Sequence, residues 1–70
     1  MEMNWEEILD EYNVKVYAAN SRRYLIIHCD NHTFFIDTNR RDEKSKIKCP
    51  NIEAAKWYAE GLQTKDNNYE

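Results

Sequence analysis

The sequence predicts a small α+β domain, a three-stranded antiparallel meander with an N-terminal and a C-terminal helix packed on one of its faces. Three observations predict it. Segments 14–18, 23–29 and 32–37 alternate side chains at the period of a strand. Both flanks carry apolar residues at helical spacing. Breakers are scarce, with one glycine and one proline in 70 residues.

Asn4-Trp5-Glu6-Glu7 reads as a capping box, in which Asn4 accepts from the backbone three residues on and Glu7 reaches back. Trp5, Ile8, Leu9 and Tyr12 then fall at i, i+3, i+4 and i+7, one face of a helix. Glu6, Glu7, Asp10 and Glu11 take much of the remaining surface, and Asn13 is the expected stop. Val14 to Ala18 is the first predicted strand, and Ala19 to Arg22 its loop. Arg23 to Cys29 and His32 to Asp37 follow, joined by Asp30-Asn31, two residues that tolerate positive φ in a tight hairpin. The second hairpin pairs Cys29 with His32, Ile27 with Phe34 and Leu25 with Ile36. The first pairs Ala18 with Arg23, Val16 with Leu25 and Val14 with Ile27. Both registers collect Val14, Val16, Leu25, Ile27, Phe34 and Ile36 on one face, the expected core face.

Residues 38–48 are dense in charge and read as an exposed connection, within which Lys46-Ile47-Lys48 has the pattern of a lysine-guarded edge strand. Pro50 or Asn51 opens the last helix, whose stripe is Ile52, Ala55, Tyr58, Ala59 and Leu62, with Gly61 as a stop signal. The expected core adds Trp5, Ile8, Leu9, Ile52, Ala55, Ala59 and Leu62 to the sheet residues. The organisation is one domain over 1–62 and a polar, frayed tail over 63–70.

Composition limits the function classes. The chain is 41% hydrophobic, 13% aromatic and 33% charged, with a formal net charge of −3. That balance argues against a general nucleic-acid coat, which is basic. Two cysteines without a signal-peptide pattern suggest free thiols and a cytoplasmic setting. No apolar stretch approaches the ~20 residues of a membrane span.

Catalytic and cofactor motifs do not stand out. His28, Cys29, His32 and Cys49 invite a metal reading, but the paired spacings of zinc sites are missing, and His28 alternates to the face opposite Cys29. A Cys–His nucleophile needs an orienting group and a cleft, for which a meander with two helices has little room. The only glycine is Gly61, so there is no glycine-rich phosphate loop. The expectation is a non-enzymatic chain with no metal and no cofactor.

The candidate binding residues lie on the other sheet face. Tyr17, Tyr24, Ile26 and Phe35 line it, with Lys15, His28 and Thr33 beside them. Aromatic patches of this kind mark partner sites, unless residues 38–48 fold over them. Glu6, Glu7, Asp10 and Glu11 would steer a basic or nucleic-acid-acting partner. Trp57, off the main stripe of its helix, is a second candidate anchor. The competing reading is single-stranded nucleic acid stacked on the same aromatics, with Lys15, Arg22 and Arg23 meeting phosphates. A second copy of the chain could also close the aromatic face as a two-fold dimer.

The order of predicted elements, Asn4 to Tyr12, Val14 to Asp37 and Ile52 to Leu62, resembles that of small phage-encoded inhibitors of host defence. Some anti-CRISPR proteins share a short capped helix, three antiparallel strands, a C-terminal helical part and an acidic balance. The resemblance is architectural and carries no motif. It implies a small inhibitor that occupies a surface of a larger protein.

Overall fold

A computed structural model describes residues 3–67, with side chains described through Gln63. Five consecutive strands form one antiparallel meander: β1 (Glu6–Glu11), β2 (Val14–Ala19), β3 (Tyr24–Cys29), β4 (His32–Asp37) and β5 (Lys46–Cys49). A 3-10 turn over Glu43–Ser45 precedes β5, and α1 (Ile52–Asn67) follows it. The molecule is α+β, but the three-stranded meander between two helices is corrected to five strands and one helix.

The expected N-terminal helix is strand β1. Tyr12 and Asn13 form a tight turn, and Glu11 pairs with Val14, Leu9 with Val16 and Glu6 with Ala18. The ladder is irregular between Glu7 and Leu9, so Ile8 sits at a bulge. That bulge places two apolar residues side by side, which imitates helical spacing in the sequence. A lone nine-residue helix is marginal without tertiary packing. Pairing instead satisfies backbone groups that would otherwise stand open on β2. All six β1 residues remain exposed. The helix–three strands–helix order that carried the resemblance to phage inhibitors is therefore not the order of this fold.

The β3–β4 hairpin has the expected register, with Cys29 opposite His32, Ile27 opposite Phe34 and Leu25 opposite Ile36. Its turn places Asp30 at φ 49° and Asn31 at φ 65°, as a tight right-twisted hairpin requires. The β2–β3 register is displaced by two residues, so Val16 faces Ile27 and Ala18 faces Leu25. Its four-residue loop, residues 20–23, holds Asn20, Ser21 and Arg22 in succession at positive φ. Thr38 secures it, donating from its backbone N at 2.8 Å and from its hydroxyl at 2.9 Å to the Arg23 carbonyl. Lys46-Ile47-Lys48, which the sequence leaves open between exposed connection and edge strand, lies in β5, and its partner is β4.

The largest correction concerns the faces. The core is built on Tyr24, Ile26 and Phe35, all fully buried, together with Cys49, Ala55 and Ala59. These are the sheet residues expected to bind a partner. Helix α1 lies over β3, β4 and β5 on this side. Ala55 and Ala59 let it approach closely, and Tyr58 meets Phe35 edge-on at 5.3 Å between ring centroids. Tyr24 packs against Phe35 at 5.5 Å. Trp5 and Leu62 pack against this cluster as expected, joined by Met3. Val14, Val16, Leu25, Ile27, Phe34 and Ile36, the expected core face, lie on the side away from α1 and are only partly buried. Ile8 and Leu9, also expected inside, are 36% and 38% exposed.

Two buried polar groups lock the covered face. The Thr33 hydroxyl hydrogen-bonds His28 Nδ1 at 2.8 Å. Asp37 accepts from Arg23 Nε at 3.4 Å and from the Asn39 backbone at 3.1 Å. Asn51 caps α1, its side-chain oxygen accepting from the Ala54 backbone at 2.8 Å. The helix runs through Gly61, where an added Cβ would meet nothing within 4 Å, and reaches Asn67. The expected tail over 63–70 therefore overlaps the end of α1 at residues 63–67, and residues 68–70 lie outside the described residues.

Candidate functional site

Successive side chains of a strand point to opposite faces, so the observed registers give the open face as three rows. One row is Glu6, Ala18, Leu25, Ile36 and Lys46. The middle row is Leu9, Val16, Ile27, Phe34 and Lys48. The third is Glu11, Val14, Cys29 and His32. The centre is aliphatic and aromatic over β2, β3 and β4. The two edges carry opposite charge, acidic on β1 and basic on β5.

An antiparallel sheet with one solvated face normally shows polar residues there. This one presents Val, Leu, Ile and Phe across three adjacent strands, with no element of the described chain over them. Each is partly shielded by its neighbours. Lys46 adds to the shielding, its ammonium 4.7 Å from the centre of the Phe34 ring.

The residues expected to bind divide among three locations. Tyr24, Ile26 and Phe35 are in the core at 0% exposure, so they are closed to a partner in the folded chain. Tyr17 is partly buried beside them, with the Lys56 ammonium of α1 5.5 Å from its ring centre. The stacking platform that the nucleic-acid reading needs is therefore enclosed, and Arg23 is engaged with Asp37 and stacked 5.0 Å over Tyr24. Glu6, Glu7, Asp10 and Glu11 are exposed, as expected, but on a strand. Glu6 and Glu11 share the open face, and Glu7 and Asp10 share the other. Trp57 is 77% exposed on the outer side of α1, beside a shallow surface formed with Glu53 and Glu60.

The metal-type side chains are separated. Cys29 and His32 lie on the open face, and His28 and Cys49 on the covered one. Among the described residues no group of three or more His, Cys, Asp or Glu side chains is placed to hold a metal ion. Burial pushes the Cys49 thiol above its ordinary pKa, the direction of an inert rather than a nucleophilic sulfur. Before β5, Asp42 accepts from Arg40 Nε at 2.9 Å and from the Lys44 backbone at 3.0 Å, and the Arg40 contact holds its carboxyl below the usual range.

Sequence reasoning missed the open face because both faces are apolar. The signal that separates them is in β5. Placed in register, Lys46 and Lys48 fall opposite Ile36 and Phe34, while Ile47 and Cys49 fall opposite Phe35 and Thr33. Lysines belong on the solvent side of an edge strand.

Comparison with protein-family models, curated protein sequences and solved structures gives no match for this chain. No helix among the described residues is long and apolar enough to cross a membrane.

Proposed function

We propose that this chain is a small non-enzymatic protein-binding module of the inhibitor or adaptor type, and that its working surface is the open face of the sheet. One observation carries the reading. Leu25, Ile27, Phe34 and Ile36 form a continuous apolar surface with nothing of the described chain over it. Such a surface gains most from another polypeptide of matching shape, with the buried aromatic and aliphatic centre as anchor and the charged edges as a rim. Exposed Trp57, on the opposite side of the molecule, offers a second anchor for a larger target.

A photoactivatable phenylalanine analogue at position 34 tests this reading in cell extract. The expected result is a covalent adduct to a polypeptide on irradiation, with no comparable adduct from the same analogue at exposed position 41. Absence of any polypeptide adduct from position 34 contradicts the proposal.

A further inference from the structure

We infer that the open face is closed by a second copy of this chain, as a two-fold sandwich whose axis runs parallel to the strands and passes over β3. The inference rests on reading the open face as a polypeptide-binding surface, and it names the occupant.

The argument is geometric. Bringing the same face of two copies together by a two-fold rotation requires an axis lying between the sheets. That axis can run along the strands or across them. An axis across the strands lays β1 on β1 and sets Glu6 against Glu11 of the second copy, acid on acid. An axis along the strands reverses the strand order, so β1 of each copy lies over β5 of the other. Because the sheet has five strands in sequential order, β3 then lies over β3.

The observed registers fix what meets what in the second arrangement. In the first row Glu6 faces Lys46 of the second copy, and small Ala18 faces larger Ile36. In the middle row Leu9 faces the aliphatic stem of Lys48, and Val16 faces Phe34. Along the axis Leu25, Ile27 and Cys29 each meet their own counterparts. Unlike charges meet at both edges, and smaller side chains oppose larger ones between them. Each of these off-axis contacts occurs twice. Sheets pack face to face about 10 Å apart with strands within about 30° of one another, so each sheet supplies one half of a sandwich core.

The dimer also fits the size of the domain. A single core in a chain below about 70–80 residues rarely supplies more than about 3–5 kcal/mol. Closing the open face adds a second apolar layer and leaves both α1 helices, with Trp57, on the outside. A larger partner would meet that outer surface twice.

The test uses purified protein alone. Sedimentation equilibrium from low micromolar to near-millimolar concentration is expected to show twice the chain mass of 8.5 kDa. A short bismaleimide is expected to join Cys29 to Cys29, identified by peptide mapping. Lys46→Glu is expected to weaken the dimer several-fold, and adding Glu6→Lys in the same chain to restore it, because the two swaps face each other across the axis. Ile27→Lys, with its fold checked by circular dichroism, is expected to be monomeric. A purely monomeric wild type at the highest concentration overturns the inference, as does a dimer that gives no Cys29–Cys29 link. In either case an adduct from position 34 to a different protein in extract leaves the binding-face reading standing.

Discussion

The two faces of this sheet are built from neighbouring residues of the same strands and have opposite fates. Ile26 is fully buried while Ile27 is not, and Phe35 is fully buried while Phe34 is not. The difference does not lie in hydrophobicity, since both faces are apolar. It lies in what each face offers a helix. The covered face presents aromatic rings that Ala55, Tyr58 and Ala59 can approach, and it pairs two of its polar groups internally through Thr33–His28 and Asp37–Arg23. The open face ends in charged side chains on both edges, Glu6 and Glu11 on one and Lys46 and Lys48 on the other. A helix laid there would have to desolvate those charges.

The largest effect that could break this contrast is a truncation on either side of one peptide bond. Phe35→Ala removes a ring from the centre of the core and should cost about 3–5 kcal/mol, enough to unfold most of so small a domain. Phe34→Ala, measured at high dilution by urea titration, should cost less than half as much. Equal losses would mean that the open face is covered after all. A smaller effect comes from the element that does the covering. Asn51→Ala removes the cap of α1 and should cost about 1 kcal/mol, visible as a lower thermal midpoint with an unchanged far-ultraviolet spectrum at low temperature. If the midpoint does not move, the start of α1 contributes little to holding the covered face.

The two cysteines compare the faces by chemistry. At high dilution, Cys29 on the partly exposed side should react with a maleimide well before Cys49, which is buried and whose thiol is pushed up from its ordinary pKa of 9.0. The sign of the linked stability follows from that direction. A raised folded pKa contributes stability that is fully present below the unfolded value and is lost as pH rises through the folded one. Stability should therefore decline modestly as pH rises above about 9, and Cys49→Ser should flatten that decline. An unchanged alkaline slope in the serine variant would remove Cys49 from the account.

Much of the sheet is legible in the sequence, down to residue pairs. The Asp30-Asn31 turn sets the β3–β4 register, because two residues tolerant of positive φ leave one loop length. The β2–β3 register is harder. A displacement of two residues keeps every side chain on the same face, so the alternation that defines the strands cannot distinguish Val16 opposite Leu25 from Val16 opposite Ile27. Strand β1 is hidden by its bulge, since Ile8 and Leu9 adjacent to each other read as helical spacing. The identity of the core face is hidden for a different reason. Two apolar faces compete for one helix, and only the register of Lys46 and Lys48 on β5 marks the side left open. The binding residues inherit that exchange, so Tyr24, Ile26 and Phe35 hold the fold while Leu25, Ile27 and Phe34 are available to a partner.

The most direct test is a lysine placed at each of two consecutive positions, Ile26→Lys and Ile27→Lys, followed by thermal melting in circular dichroism at low protein concentration. A charge cannot be buried unpaired in the core, but at the open face its long stem can lie along apolar surface with its ammonium in water. The account predicts that Ile27→Lys keeps the wild-type spectrum and a cooperative melt, while Ile26→Lys has lost both. Two folded variants, or a folded Ile26→Lys beside an unfolded Ile27→Lys, would contradict it.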